Sequence, residues 1–126
     1  MSTILDTNAV SALLAGDAAL AALLEAEPPA LPVIVVGEYR FGLTRSRLRL
    51  QLGPLLDDLI AASQILRIDL DTTSAYVEVR QELRDAGRPI PENDVWIAAL
   101  SRQHRMRLIS RDRHFDAVAG LVRLSW

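Results

Sequence analysis

Apolar residues come in short runs separated by longer segments in which they recur at helical spacing. Residues 3–5 are a short apolar run ending at Asp6 and read as a buried strand. Residues 9–15 read as a helix broken at Gly16, and Asp17 caps an Ala/Leu-rich helix that runs to about residue 26, where Pro28-Pro29 stops it. Residues 32–36 are β-branched and continuously apolar, which predicts a central parallel strand. Gly37 then turns the chain, a helix begins at Glu38 and reaches about residue 44, and a longer one covers 47–62. Residues 65–68 form the next strand. Asp71-Thr72-Thr73 caps a helix that runs to residue 85 and ends at Gly87. Residues 92–104 are helical, with Val95, Trp96, Ala99 and Leu100 as an apolar stripe that places Trp96 in the core. A strand at 108–110, a short helix or turn at 115–119 and a last strand at 121–124 complete the chain.

Short apolar strands alternating with helices predict a three-layer α/β/α fold with a mainly parallel sheet, as one domain spanning residues 1–126. Such sheets bind ligands beyond the carboxyl ends of their strands, at the point where strand order reverses. Four acids fall at element ends. Asp6 follows the first strand, Glu38 the second and Asp112 the fourth, and Asp94 lies in the first turn of a helix. Carboxylates gathered from separate elements repel one another, and a hard divalent cation with oxygen ligands is the usual compensation. That set points to metal-dependent phosphodiester chemistry.

Composition narrows the chemistry. There is no cysteine, so neither a disulfide nor a thiolate site is available. All fourteen cationic side chains are arginines, which excludes mechanisms that rely on lysine, such as P-loop or Schiff-base catalysis. The absence of a signal-peptide pattern and of any membrane-length apolar run predicts a cytoplasmic protein with no membrane partner. The net charge of −2 does not suggest a nucleic-acid binder, but its distribution does. Arg40, Arg45, Arg47 and Arg49 occur with no acid between them, and residues 102–114 hold five arginines and one acid. Two basic segments beside an acidic, metal-neutralised cleft suit a polyanion.

Asp6-Thr7-Asn8, Val36-Gly37-Glu38-Tyr39-Arg40-Phe41-Gly42, the segment from Pro91 through Asp94 to Ala99, and Ser110-Arg111-Asp112-Arg113-His114-Phe115 together resemble the PIN-domain ribonucleases, most closely the VapC-type toxins of toxin–antitoxin pairs. The likeness covers essentially the whole chain. It implies an endoribonuclease that uses Mg²⁺ or Mn²⁺ and leaves a 5′ phosphate. It implies Asp6, Glu38, Asp94 and Asp112 as the catalytic and metal-binding acids, with Thr7, Asn8 and Ser110 as polar helpers. The partners implied are RNA, a cognate antitoxin that blocks the active-site groove, and a second copy in a homodimer. Arg40, Arg45, Arg47, Arg111 and Arg113 are the expected phosphate contacts. The expected apolar partner surface comprises Leu13, Leu14, Leu20, Leu23, Leu24, Leu43, Leu48 and Leu52. His114 stands where the family pattern often has a further acid, which leaves open whether one metal ion binds or two.

Each acid has a plainer explanation. Asp6 and Asp112 fit as helix caps, and Glu38 and Asp94 as acids favoured by a helix N-terminus. His104 and His114 read as surface residues. A housekeeping PIN nuclease would share every residue named above. A phosphatase with acids at strand ends needs an Asp-x-Asp pair and a lysine, whereas this chain has Asp6-Thr7-Asn8 and no lysine. A pure binding module would be signalled by the loss of an acid, and all four are present.

Overall fold

The computed structural model describes residues 2–26 and 28–126. The strands are β1 (Thr3–Leu5), β2 (Pro29–Pro32), β3 (Gln64–Leu66), β4 (Leu108–Ile109) and β5 (Arg123–Leu124). They form one sheet in the order β3-β2-β1-β4-β5, and every neighbouring pair is parallel. The helices are α1 (Thr7–Leu14), α2 (Ala18–Leu23), α3 (Val33–Leu43), α4 (Arg49–Ala62), α5 (Leu70–Asp85) and α6 (Glu92–His104), and a 3₁₀ turn covers Arg113–Ala117.

Connectivity sets the layers. The chain steps from β1 to β2 to β3 in one direction through α1–α4, then returns past both strands to β4 through α5 and α6. Crossovers between parallel strands are right-handed, so this reversal puts α5 and α6 on the opposite face. The contacts agree: α1 packs on α2, α3 and α4, whereas α5 packs on α6. Ile4, Leu5, Leu31, Leu66, Leu108 and Ile109 are buried in the sheet, and Val10, Leu20, Val35, Val79, Ile97, Leu100 and Phe115 cover it from both sides.

Several boundaries depart from the sequence reading. The run at 32–36 is not a strand. β2 ends at Pro32, opposite Leu66, and residues 33–36 are the first turn of α3. A short β-branched run cannot be assigned by propensity alone. Here the sheet has reached its carboxyl edge, and Val35 and Tyr39, one turn apart, bury a helical stripe. α1 starts at Thr7 rather than residue 9, because Asp6 accepts the backbone N–H of Thr7 as its N-cap. α5 is capped by Asp69 rather than Asp71. The Asp69 carboxylate accepts Thr72 N–H, and the Thr72 hydroxyl accepts Asp69 N–H, a capping box. Trp96 is half-buried rather than core, and stacks on Tyr76 with ring centroids 3.9 Å apart. Leu20, expected on the partner surface, is fully buried. No helix among the described residues is long and apolar enough to cross a membrane.

Candidate active site

Strand order reverses between β1 and β4, and the carboxyl ends of these two strands carry Asp6 and the Ser110–Asp112 loop. The two ends are tied together. Asp6 N–H donates to Ile109 O at 3.1 Å. The fully buried Ser110 hydroxyl donates to Asp6 Oδ2 at 2.7 Å, and the Asn8 amide reaches the same oxygen at 3.3 Å. Ser110 Oγ in turn accepts Asp112 N–H at 3.0 Å, and Asn8 Oδ1 accepts Arg111 N–H at 3.2 Å. Asn8 and Ser110 therefore fix the Asp6 carboxylate and the backbone of the Asp112 loop in one network.

Glu38 does not follow a strand. It lies in the second turn of α3, and α3 packs on α1. Its Oε1 is buried and accepts no hydrogen bond of good geometry; the Thr7 hydroxyl beside it is likewise buried and unsatisfied. Asp94 projects from the first turn of α6, and its side chain is 14% exposed. Asp112 caps the 3₁₀ turn by accepting His114 N–H at 2.9 Å. That turn brings the His114 ring back over the acids, with Nδ1 2.9 Å from Asp112 Oδ1 and 3.4 Å from Asp94 Oδ2. Asp94, Asp112 and His114 each offer a ligand atom within 4.8 Å of the other two, while Asp6 and Glu38 stand outside this tightest group.

The electrostatics decide between a cap and a charge cluster. Burial raises the pKa of Asp6, and the Asp112 charge adds to the rise, against the lowering effect of bonds from Ser110, Thr7 and Asn8. Burial, then the Asp6 charge, raises Glu38; contacts with Asn93 and Thr7 offset this in part. Asp94 is pushed up to about 6 by burial and by the charges of Asp6 and Asp112, against the pull of His114. A helix N-terminus alone would lower Asp94, by a term of about 0.3–1 kcal/mol. The rise to about 6 runs the other way and, at about 1.36 kcal/mol per pKa unit, outweighs that term. Asp6 and Asp112 do cap helices, as the plainer explanation held, yet capping does not balance the charge collected here.

A divalent cation fits this donor set. The four carboxylates come from four elements and repel one another, and the buried Glu38 Oε1 and Thr7 hydroxyl make no hydrogen bond of good geometry. Asp116, two residues beyond His114, is not available for it, because its carboxylate grips Arg123 through bonds of 2.8 and 3.0 Å.

The PIN-domain family model matches residues 3–121. The chain belongs to the PIN-domain family. VapC ribonuclease Y4jK of Sinorhizobium fredii is 31% identical over 94% of this PIN domain and 92% of the relative. Ribonuclease VapC5 of Mycobacterium tuberculosis is 29% identical over 72% of the chain and 69% of the relative. Among solved structures, VapBC2 from Rickettsia felis, bound to a promoter DNA fragment, superposes with a TM-score of 0.90 over 100% of this chain and 99% of that one at 24% identity, a likeness of fold. VapBC-5 from Mycobacterium tuberculosis, a member of the VapBC family of toxin–antitoxin systems, gives 0.76 at 26% identity over 98% and 96% of the two chains.

Around the PIN-domain acids, the expected RNA contacts divide. Arg40, Arg45, Arg47 and Arg113 are exposed. Arg111 is engaged within the chain, its guanidinium stacked 4.3 Å over the Trp126 ring and bonded to Trp126 O at 3.2 Å. His114 was missed as a member of the cluster. The adjacent Asp112 and Phe115 carried the signal: a buried Phe115 anchors a tight turn that folds His114 back toward the acids.

Proposed function

We propose that this PIN domain is a divalent-metal-dependent endoribonuclease and the toxin of a type II toxin–antitoxin pair. The observation that carries the reading is the partly buried cluster of acids at the strand-order reversal, whose one ion-pair partner among the described residues is His114. The relatives named VapC ribonuclease support it. Asp6, Glu38, Asp94 and Asp112 hold the metal, Mg²⁺ or Mn²⁺, directly or through water. When bound, the ion supplies positive charge to the scissile phosphate and acidifies an attacking water. The chain's own residues do the positioning. Ser110 and Asn8 hold the Asp6 carboxylate, and the sheet ends keep Asp6 and the Asp112 loop in register. The exposed guanidinium groups of Arg40, Arg45, Arg47 and Arg113 receive the phosphates flanking the cut.

The antitoxin belongs to the same reading. A groove of about 330 Å³ begins at Thr7 and Glu38 and continues along Tyr39, Leu43, Leu48 and Leu52. Exposed apolar side chains occur on the same part of the chain, Phe41 on α3 at 70% and Leu50 on α4 at 85% exposure. An amphipathic segment seated there covers Glu38 as it buries these side chains, so one contact both holds the partner and blocks the acids. Leu43, Leu48 and Leu52 carry the apolar lining of the groove. The VapBC-5 likeness supports a partner of this kind. A homodimer in the cytoplasm completes the proposal.

The test is to express the protein briefly in cells and sequence the 5′-phosphorylated RNA ends. New ends at a restricted set of sites are expected, with their yield falling about 100-fold or more in Asp94→Asn. An unchanged end profile with the wild-type protein would rule out the endoribonuclease reading.

A further inference from the structure

The position of the His114 ring has a meaning of its own, and it rests on the nuclease reading above. In octahedral coordination with ligands at roughly 2.1 Å, adjacent donor atoms stand about 3.0 Å apart. His114 Nδ1 lies 2.9 Å from one oxygen of Asp112 and 3.4 Å from one of Asp94, so the nitrogen stands from each oxygen at close to the spacing of neighbouring ligands on one ion. The turn fixes the backbone from which the ring projects. His114 N–H is bonded to Asp112, and Phe115, the next residue, is fully buried.

We propose that His114 is a metal ligand through Nδ1, completing a mixed nitrogen–oxygen site with Asp94 and Asp112 and tilting the ion it takes from Mg²⁺ toward a first-row transition ion. Imidazole is a poor ligand for Mg²⁺, which prefers oxygen and keeps its waters, whereas transition ions from Mn²⁺ onward gain from a nitrogen donor. One imidazole in the set therefore discriminates where carboxylates alone would not. The opposing possibility is that His114 merely bridges the two acids with its own proton, acting as a built-in cation. In that case a bound metal would displace the ring rather than be held by it.

The two outcomes differ in what surrounds a bound ion, which can be read without any turnover. Mn²⁺ is added to the purified protein, and its electron spin echo is examined for modulation by a directly bonded ¹⁴N. Calorimetric Kd values for Mn²⁺ and Mg²⁺ are measured in parallel. The chain has only two histidines, and His104 lies ten residues along α6 from Asp94, about 15 Å at the helical rise. His104→Gln therefore serves as the control. Nitrogen modulation is expected in the wild type and in His104→Gln and absent in His114→Gln, with Mn²⁺ still binding. The preference for Mn²⁺ over Mg²⁺ is expected to fall at least about tenfold in His114→Asp. Mn²⁺ bound without nitrogen modulation in the wild type overturns the ligation and leaves the nuclease reading standing. Failure of both ions to bind overturns both.

Discussion

The two flanks of this small sheet use the same side chains to opposite ends. Along α5 and α6 the surface acids Glu78, Glu82 and Glu92 each have a cation. Arg102 forks onto Glu82 at 3.0 and 2.8 Å and reaches Glu78 at 3.6 Å, and Arg80 joins Glu92 and the Tyr76 hydroxyl. Asp116 holds Arg123. The bonds from Arg102 and Arg123 keep the Glu82 and Asp116 carboxyls below their ordinary pKa values. At the carboxyl edge of β1 and β4, burial and mutual repulsion drive Asp6, Glu38 and Asp94 upward. With fourteen arginines in the chain, cations were not in short supply. The difference shows that the acidic edge is left uncompensated by its neighbours, which is the condition for a ligand to supply the charge.

The comparison is broken most forcefully at Asp94. Its pKa is raised to about 6 in the folded protein from an ordinary value of 3.8. The folded state therefore binds this proton more tightly than the unfolded state does. The resulting destabilisation is absent below the unfolded value, grows as pH rises between the two, and is complete above the folded one. In metal-free protein at pH 7.5, Asp94→Asn should raise stability by roughly 2–3 kcal/mol, and the gain should vanish at pH 3.5. Urea unfolding at the two pH values measures it. A variant that loses stability at pH 7.5 would mean that Asp94 is a structural cap. A smaller effect comes from metal itself. With a Kd of ~1 mM, ~10 mM Mg²⁺ adds about 1.4 kcal/mol by mass action. That is a melting-temperature rise on the order of 4–6 °C for a domain of this length. The rise should shrink sharply in Asp6→Asn, and differential scanning fluorimetry with and without chelator would show whether it does. The smallest effect is on the compensated flank. Arg102→Ala should cost about 1 kcal/mol, and less in high salt, because its partners are largely exposed. Chemical denaturation at low and high ionic strength separates that screened loss from the salt-resistant effect at Asp94.

What the sequence disclosed follows from the range of the forces involved. The acids at the ends of β1 and β4 were legible because a buried parallel strand is a continuous apolar run, and Asp6 and Asp112 mark where such runs stop. The bounds of α6 were legible from its apolar stripe and the proline before it, although Trp96 is not core. Residues 33–36 were misread because β-branching is a local preference, whereas the end of β2 is set by its pairing with β1 and β3. The same limit hid the cap of α5. Asp69 and Asp71 are equally good caps in isolation, and the contact of Thr72 with Gln103 on α6, at 2.7 Å, goes with the choice of Asp69. His114 was missed because its ring joins the acids only through the fold of a five-residue turn, which Asp112 and Phe115 mark without giving its direction.

The bond between Ser110 and Asp6 spans 104 positions of sequence. Its two halves leave the ribosome far apart in time, at about 5–20 residues per second. A nascent chain that has emerged only through α5 already has β1, β2 and β3 available, but it lacks Asp94 on α6, the β4 strand that pairs beside β1, and the serine that locks the first acid in place. Order of synthesis thus delays assembly of the site. The polypeptide can begin to collapse beside messenger and ribosomal RNA while its acids remain unassembled, and the site closes only with the last fifth of the chain.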